Sequence, residues 1–125
     1  MAAKRLAITV IILAFILVAI LVTGVRISII GDTGSMEPTF SGGEILITAR
    51  AKEYKVGDII SFKSPETDAL IKEELGSVGW RDYIMHRIVE VNRTGIITKG
   101  DGINHVDPWI ITPEHIRGKV VWIIP

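Results

Sequence analysis

The sequence predicts a mainly β domain carried by a single N-terminal transmembrane helix. Residues 6–25 contain no charged side chain, and at ~1.5 Å per residue they would form a helix of ~30 Å, the thickness of a bilayer's hydrocarbon core. The rest of the chain alternates short apolar, β-branched runs with turn residues, which is typical of strands. A length of 125 residues leaves room for one domain of this kind.

The apolar run is interpreted as a retained anchor rather than a cleaved leader. A secretory h-region is typically ~7–15 residues long and ends at a small-residue cleavage site, whereas this run is longer and no Ala-x-Ala pattern ends it. Lys4 and Arg5 precede the run and Arg26 alone follows it closely, so the positive-inside tendency favours a cytoplasmic N-terminus. We therefore divide the chain into residues 1–26, a cytoplasmic tip and anchor, and residues 27–125, an extracytoplasmic or luminal domain.

Composition excludes several classes of function. Two of the 14 basic residues precede the run, which leaves 12 against 14 acidic residues in the remainder. There is no basic patch to bind nucleic acid. The chain has no cysteine, which excludes disulfides, thiolate catalysis and cysteine-ligated zinc.

Turn residues separate the strand candidates of the domain. Residues 44–49 are apolar enough to predict burial on both faces of their strand. Residues 66–82 predict a short helix or an ordered excursion, and residues 112–116 a capped helical turn. The strand candidates are residues 27–30, 44–49, 59–63, 83–91, 96–99 and 118–125, with a brief one at 109–111.

Ser35 lies in a loop that presents a hydroxyl on a stiff backbone. Gly34 precedes it, and Pro38 fixes its own φ and pushes Glu37 towards extended geometry, so the segment is not a helix interior. Loops of this kind often carry function. Two interpretations of Ser35 remain open from the residues alone, a turn residue and a nucleophile.

His86 is the candidate base with rigid support. A serine needs a base to attack an amide near neutral pH, and imidazole is well suited to that work. Strand alternation places His86 on one face with Ile84 and Ile88, whereas His105 lies in a polar loop and His115 in the predicted capped turn. The alternative is a hydrogen-bonded histidine of a half-buried sheet.

Asp101 and Asp107 lie in the polar loop after the strand at residues 96–99. Either carboxylate could accept the second imidazole N–H of His86 from a neighbouring strand end. Both could instead serve turn geometry, since Asp101 stands between two glycines and Asp107 precedes a proline. With His105 they also offer nitrogen and oxygen ligands for a metal.

Several of these segments, in this order, resemble those of type I signal peptidases. The segments are GSMEPT at residues 34–39 just outside an anchor, GDII at 57–60, HRI at 86–88, KGD at 99–101, and an aspartate six residues after Asp101. The likeness covers residues 1–125 apart from residues 66–82. It is to the archaeal and endoplasmic-reticulum branch, since the usual bacterial enzymes have a lysine base where His86 stands.

The resemblance implies a signal-peptidase-like β domain with the following roles. Ser35 is the nucleophile, His86 the general base, Asp107 the likelier orienting acid and Asp101 a second acid near the site. The side chain of Thr33 and the backbone N–H of Ser35 correspond to the oxyanion donors.

The resemblance also implies the substrate, the location and the partners. The substrates are signal peptides of secretory precursors, cleaved at the cell membrane or the endoplasmic-reticulum membrane without a cofactor or metal. Small residues at the first and third positions before the cut imply shallow pockets, expected near Ile29, Ile45 and Ile84, with Met36 near the cleft or the membrane surface. The lipid bilayer is a partner, and accessory subunits are compatible with this branch.

Two other functions remain as alternatives. One is a membrane-anchored β module that binds a partner and catalyses nothing. The other is a relative of the self-cleaving repressor domains, which resemble the same fold and use a Ser/Lys pair. The anchor, the lack of a helix-turn-helix region and the histidine at position 86 argue against the second.

Overall fold

The structure is a computed structural model that describes residues 1–31, 34–66 and 83–125. The helix or excursion predicted at residues 66–82 lies outside this range apart from Glu66.

The described residues form one N-terminal helix followed by a six-stranded antiparallel sheet in the order β1-β2-β6-β3-β4-β5. This confirms the predicted mainly β fold with an N-terminal apolar helix. A 3₁₀ turn stands where the capped turn is predicted, and the strand predicted at 109–111 is a single bridge between Ile111 and Ile96. The elements are α1 (Ala2–Thr23), β1 (Arg26–Ile29), β2 (Ile45–Ala49), β3 (Ile59–Phe62), β4 (Ile84–Asn92), β5 (Gly95–Lys99), the 3₁₀ turn (Pro113–His115) and β6 (Ile116–Ile124).

Helix α1 is long and apolar enough to cross a membrane, and none of its residues is buried in the protein. It ends at Thr23 because Gly24 adopts the left-handed conformation (φ 65°) and donates its N–H to the carbonyl of Ile20, a common way to end a helix. The backbone N–H of Arg50 donates to the Thr23 carbonyl at 3.1 Å. The end of the helix is thereby joined to the end of β2.

Strand β2 is covered on one face only. Leu46 and Thr48 are buried, whereas Ile45, Ile47 and Ala49 keep partial exposure. The expectation of burial on both faces is therefore wrong. The apolar composition of β2 reflects pairing with β1 and β6, whose facing side chains on this surface are also apolar, such as Ile27 and Trp122 opposite Ile47.

Two apolar clusters form the core, and the second includes the loop that contains Ser35. The first is Ile60, Phe62, Ile88, Ile96 and Ile111. In the second, Met36 and Phe40 pack against Leu46 and Ile59. Burial of these two loop side chains on either side of a cis Glu37–Pro38 bond holds the serine loop on the sheet.

Two strand edges remain uncovered by neighbouring described strands. β1 is the first strand of the sheet, so one of its edges has no partner there. β5 pairs with β4 only from Arg87 onwards, which leaves the beginning of β4, from Ile84 to His86, unpaired on that side. These edges flank the site described below.

Replacing Phe62 with alanine should lower the free energy of unfolding by about 3–5 kcal/mol, because its fully buried ring fills the centre of the first cluster. The measurement is denaturant unfolding of the full chain in detergent. Val91→Ala, at a side chain 48% exposed on β4, is the control and should change stability by less than about 0.5 kcal/mol. Equal losses in both variants would contradict this description of the core.

Candidate active site

His86 and Asp107 form a buried pair. The pairing of β4 with β3 places His86 opposite Ile60. His86 and Asp107 are each 7% exposed. His86 Nδ1 lies 2.6 Å from Asp107 Oδ2. A carboxylate accepts hydrogen bonds and does not donate them, so Nδ1 carries the proton of this contact, and in the neutral imidazole Nε2 then keeps its lone pair. An imidazole held in this tautomer can take a proton through Nε2.

Thr98 fixes the carboxylate of this pair, and the sequence reasoning missed it. Its hydroxyl donates to Asp107 Oδ2 at 2.6 Å, and the backbone N–H of Asp107 donates to the Thr98 carbonyl at 2.8 Å. Thr98 is fully buried because strand alternation in β5 places it on the same face as Ile96. That alternation was the available signal, since it predicts a threonine on the core-facing side next to the aspartate loop.

The backbone of Ser35 lies against Gly100, close to Nε2 of the His86 ring. A methyl group at Gly100 would overlap the Ser35 carbonyl oxygen and lie 3.1 Å from His86 Nε2. The same carbonyl oxygen accepts the N–H of Gly102 at 3.0 Å. The structure therefore turns Nε2 towards the serine loop, and glycine at position 100 is what permits the approach.

Asp101 has a different set of contacts from Asp107. Its two carboxylate oxygens accept from Arg87 Nε and Nη2 at 2.9 and 2.8 Å, and the Thr39 hydroxyl donates to Oδ2. Arg87 Nη1 also donates to the Gly57 carbonyl at 2.7 Å. The hydrogen bonds from Arg87 lower the pKa of Asp101. Asp101 thus joins the serine loop, β4 and the turn before β3, while Asp107 contacts the histidine.

A groove of about 470 Å³ runs between β1 and the beginning of β4. Ile29 and Ile84, both predicted to contact substrate, line it together with Ser35, whereas Met36 is buried in the second cluster and Ile45 is not among the lining residues. Among the described residues, the lining is Ser28, Ile29, Ile30, Gly31, Ser35, Phe40, Ser61, Tyr83, Ile84, Met85 and Arg117.

The remaining candidates lie elsewhere or outside the described residues. Thr33 falls outside them. His105 is exposed, with Nδ1 near the carbonyl of Val106, and His115 caps the 3₁₀ turn through Thr112. Within the described ranges no group of three or more His, Asp or Glu side chains is placed to hold a metal ion.

Comparison with known proteins identifies one family. A family model described as signal peptidase, peptidase S26 matches residues 3–95, about three quarters of the chain. The match includes Ser35 and His86 and ends before Thr98 and Asp107, which the geometry alone connects to the site. No curated protein and no solved structure matches the chain.

Asp101→Asn should lower the free energy of unfolding at neutral pH by about 2 kcal/mol, because it weakens the hydrogen bonds from Arg87. A lowered pKa stabilises the fold above the unfolded-state pKa, and this stabilisation is lost as the pH falls through the folded-state pKa. The wild-type protein should therefore lose stability below about pH 4, and the variant should lose less.

The measurement is denaturant unfolding as a function of pH, with Glu53→Gln as a control at an exposed carboxylate. If the free energy of unfolding depends on pH in the same way in Asp101→Asn and in the wild type, the stabilising role of the Arg87–Asp101 pair is contradicted.

Proposed function

The chain belongs to the peptidase S26 family of signal peptidases, and from this premise we propose that it is a membrane-bound serine endopeptidase that removes signal peptides from secretory precursors. The observation that carries the proposal is the buried His86–Asp107 hydrogen bond, with His86 Nε2 turned towards the Ser35 loop. Ser35, an oriented imidazole and an apolar groove therefore lie close together.

In the proposed reaction, Ser35 Oγ attacks the carbonyl carbon of the scissile peptide bond. His86 Nε2 takes the hydroxyl proton, and the Asp107 carboxylate stabilises the resulting imidazolium. His86 then gives that proton to the leaving amine as the C–N bond breaks. A water molecule, deprotonated by the same nitrogen, then attacks the acyl-enzyme. As the ester bond breaks, His86 gives this proton to Ser35 Oγ. The backbone N–H of Ser35 and the side chain of Thr33 are the proposed oxyanion donors, each worth about 3–4 kcal/mol in such reactions.

With a histidine base, the chain would belong to the archaeal and endoplasmic-reticulum branch of the family. Lys99 is the nearest alternative base, but its Nζ donates to the Gly100 carbonyl at 3.2 Å. Strand alternation also directs Lys99 away from the face that carries Thr98, the residue that holds Asp107. These contacts favour His86 as the proton acceptor.

The groove suits an extended peptide. The uncovered edges of β1 and the beginning of β4 flank it, and a peptide can add to such edges through backbone hydrogen bonds. Ile29 and Ile84 supply apolar walls for shallow pockets that accept small side chains before the cut. Met36, packed beneath the loop, and Ile45, on the neighbouring strand, would support these walls rather than contact the substrate.

Helix α1 provides the proposed membrane anchor. Its apolar side chains are all exposed in the protein, which is what a lipid-facing helix requires. Lys4 and Arg5 favour a cytoplasmic N-terminus, which places the domain on the extracytoplasmic or luminal side of the cell or endoplasmic-reticulum membrane. Precursor segments emerging from the bilayer would meet the groove there, with or without accessory subunits.

Ser35→Ala and His86→Ala should each lower cleavage of an Ala-x-Ala precursor by at least about 10³-fold, because each removes a participant in the proton transfer. Asp107→Asn should be more damaging than Asp101→Asn. The measurement is kcat/KM with the full chain in liposomes. His105→Ala, at an exposed histidine, is the control and should retain activity.

Full activity in Ser35→Ala would refute the serine mechanism, whereas the absence of cleavage by the wild-type protein would favour a non-catalytic binding module. Full activity in His86→Ala with loss in Lys99→Ala would transfer the role of base to the lysine.

Thr98→Val should lower kcat about tenfold with little change in KM, because Asp107 loses a hydrogen bond that orients it. Thr94→Val, in the exposed turn between β4 and β5, is the matched control and should leave kcat unchanged. An unaltered kcat in Thr98→Val, in a protein of wild-type thermal stability, would show that Asp107 needs no such support.

A further inference from the structure

Arg117 is the one charged residue among the described residues that line the groove. The other lining residues are apolar, or carry uncharged polar groups such as Ser35 and Ser61. In a groove that would otherwise select only for size and apolar character, a guanidinium adds selection by charge.

A break in strand pairing occurs at Arg117. Opposite β3, Gly118 pairs with Ser61 and Ile116 with Phe62, so Arg117 is the extra residue of β6 at this step. A bulge of this kind redirects the side chain of the inserted residue. The Arg117 guanidinium carbon lies 4.5 Å from the centroid of the Tyr83 ring. This stacking holds the cation against the wall of the groove.

The guanidinium lacks an anionic partner among the described residues. Its Nε is buried without a hydrogen-bond partner, and within the described part of the chain no carboxylate forms a salt bridge with it. Burial, and secondarily the charge of Arg26, lower the pKa of Arg117. A carboxylate in the groove would satisfy the N–H groups and offset the repulsion between the two cations.

We propose that Arg117 is a specificity-determining residue that favours precursors with an acidic side chain shortly before the cleaved bond. This inference rests on the proposed function. A peptide extended along the beginning of β4 advances about 3.3 Å per residue. Tyr83 precedes His86 by three residues, so Arg117 is expected to contact the substrate between the second and fifth positions before the cut.

The test compares precursors that share an Ala-x-Ala site and carry Glu, Gln or Lys at the second, fourth or fifth position before the bond. At one of these positions, wild-type protein in neutral liposomes should give a kcat/KM for Glu about tenfold above that for Lys. The ratio should fall to about one in Arg117→Met and reverse in Arg117→Glu. Arg93→Met, in the distant turn between β4 and β5, should keep the wild-type ratio.

A second measurement does not require turnover. Glu-bearing peptides should bind the Ser35→Ala protein about tenfold more tightly than Lys-bearing ones, and this preference should be lost in Ser35→Ala/Arg117→Met. Thermal unfolding of each variant establishes that it is folded. Equal affinities in the folded Ser35→Ala protein would overturn the inference.

The cleavage outcomes separate the two proposals. Cleavage of the Gln precursors without any Glu preference would overturn the role of Arg117 and leave the proposed function intact. Failure to cleave any precursor would overturn the proposed function and the inference that rests on it. A cleavage rate that depends on anionic lipid in the wild type and loses this dependence in Arg117→Met, without a change in peptide selectivity, would assign the cation to lipid and overturn the inference.

Discussion

The close approach of two backbone segments holds the whole site together. The serine loop near the beginning of the domain meets the Gly100–Gly102 turn, and Gly102 donates its N–H to the Ser35 carbonyl. A methyl group at Gly102 would lie 2.5 Å from the Gly34 carbonyl oxygen, and one at Gly100 would overlap that of Ser35. No side chain fits between the segments, so the contact depends on two glycines. Without this contact, Ser35 and His86 would lie in separate parts of the domain.

The two aspartates after β5 differ in role because they differ in burial and partners. Asp107 is buried and accepts from His86 and Thr98, which is the position from which it would stabilise an imidazolium in the proposed reaction. Asp101 faces Arg87 in a partly exposed pair and connects segments of backbone. Asp101 stands between two glycines and supports the contact between the loops. The hydrogen bonds between Asp107 and Thr98 hold Asp107 next to His86.

The sequence was sufficient to predict most of the strands, because alternation of apolar residues and turn residues are local signals, and it offered Ser35, His86 and the two aspartates as candidates for the site. It was insufficient to predict side-chain contacts that depend on how the strands and loops pair. Thr98 becomes a partner of Asp107 only once the polar loop folds back on β5. Arg117 enters the groove because β6 carries an extra residue opposite β3, and nothing in the local sequence marks that step. Met36 was expected near the cleft or the membrane surface, and its burial against Leu46 and Ile59, beneath the serine loop, depends on how that loop packs on the sheet.

The junction between α1 and the sheet limits how the domain can move. Two residues separate Thr23 from β1, and the Arg50 N–H fixes the end of the helix to β2. A flexible tether lets a domain sample many heights and orientations, whereas a two-residue connection with a backbone hydrogen bond across it restricts that range. With the helix in a bilayer, the groove would stay within a short distance of the membrane surface. The encounter with a second membrane-inserted chain would then depend mainly on lateral diffusion and on rotation about the membrane normal.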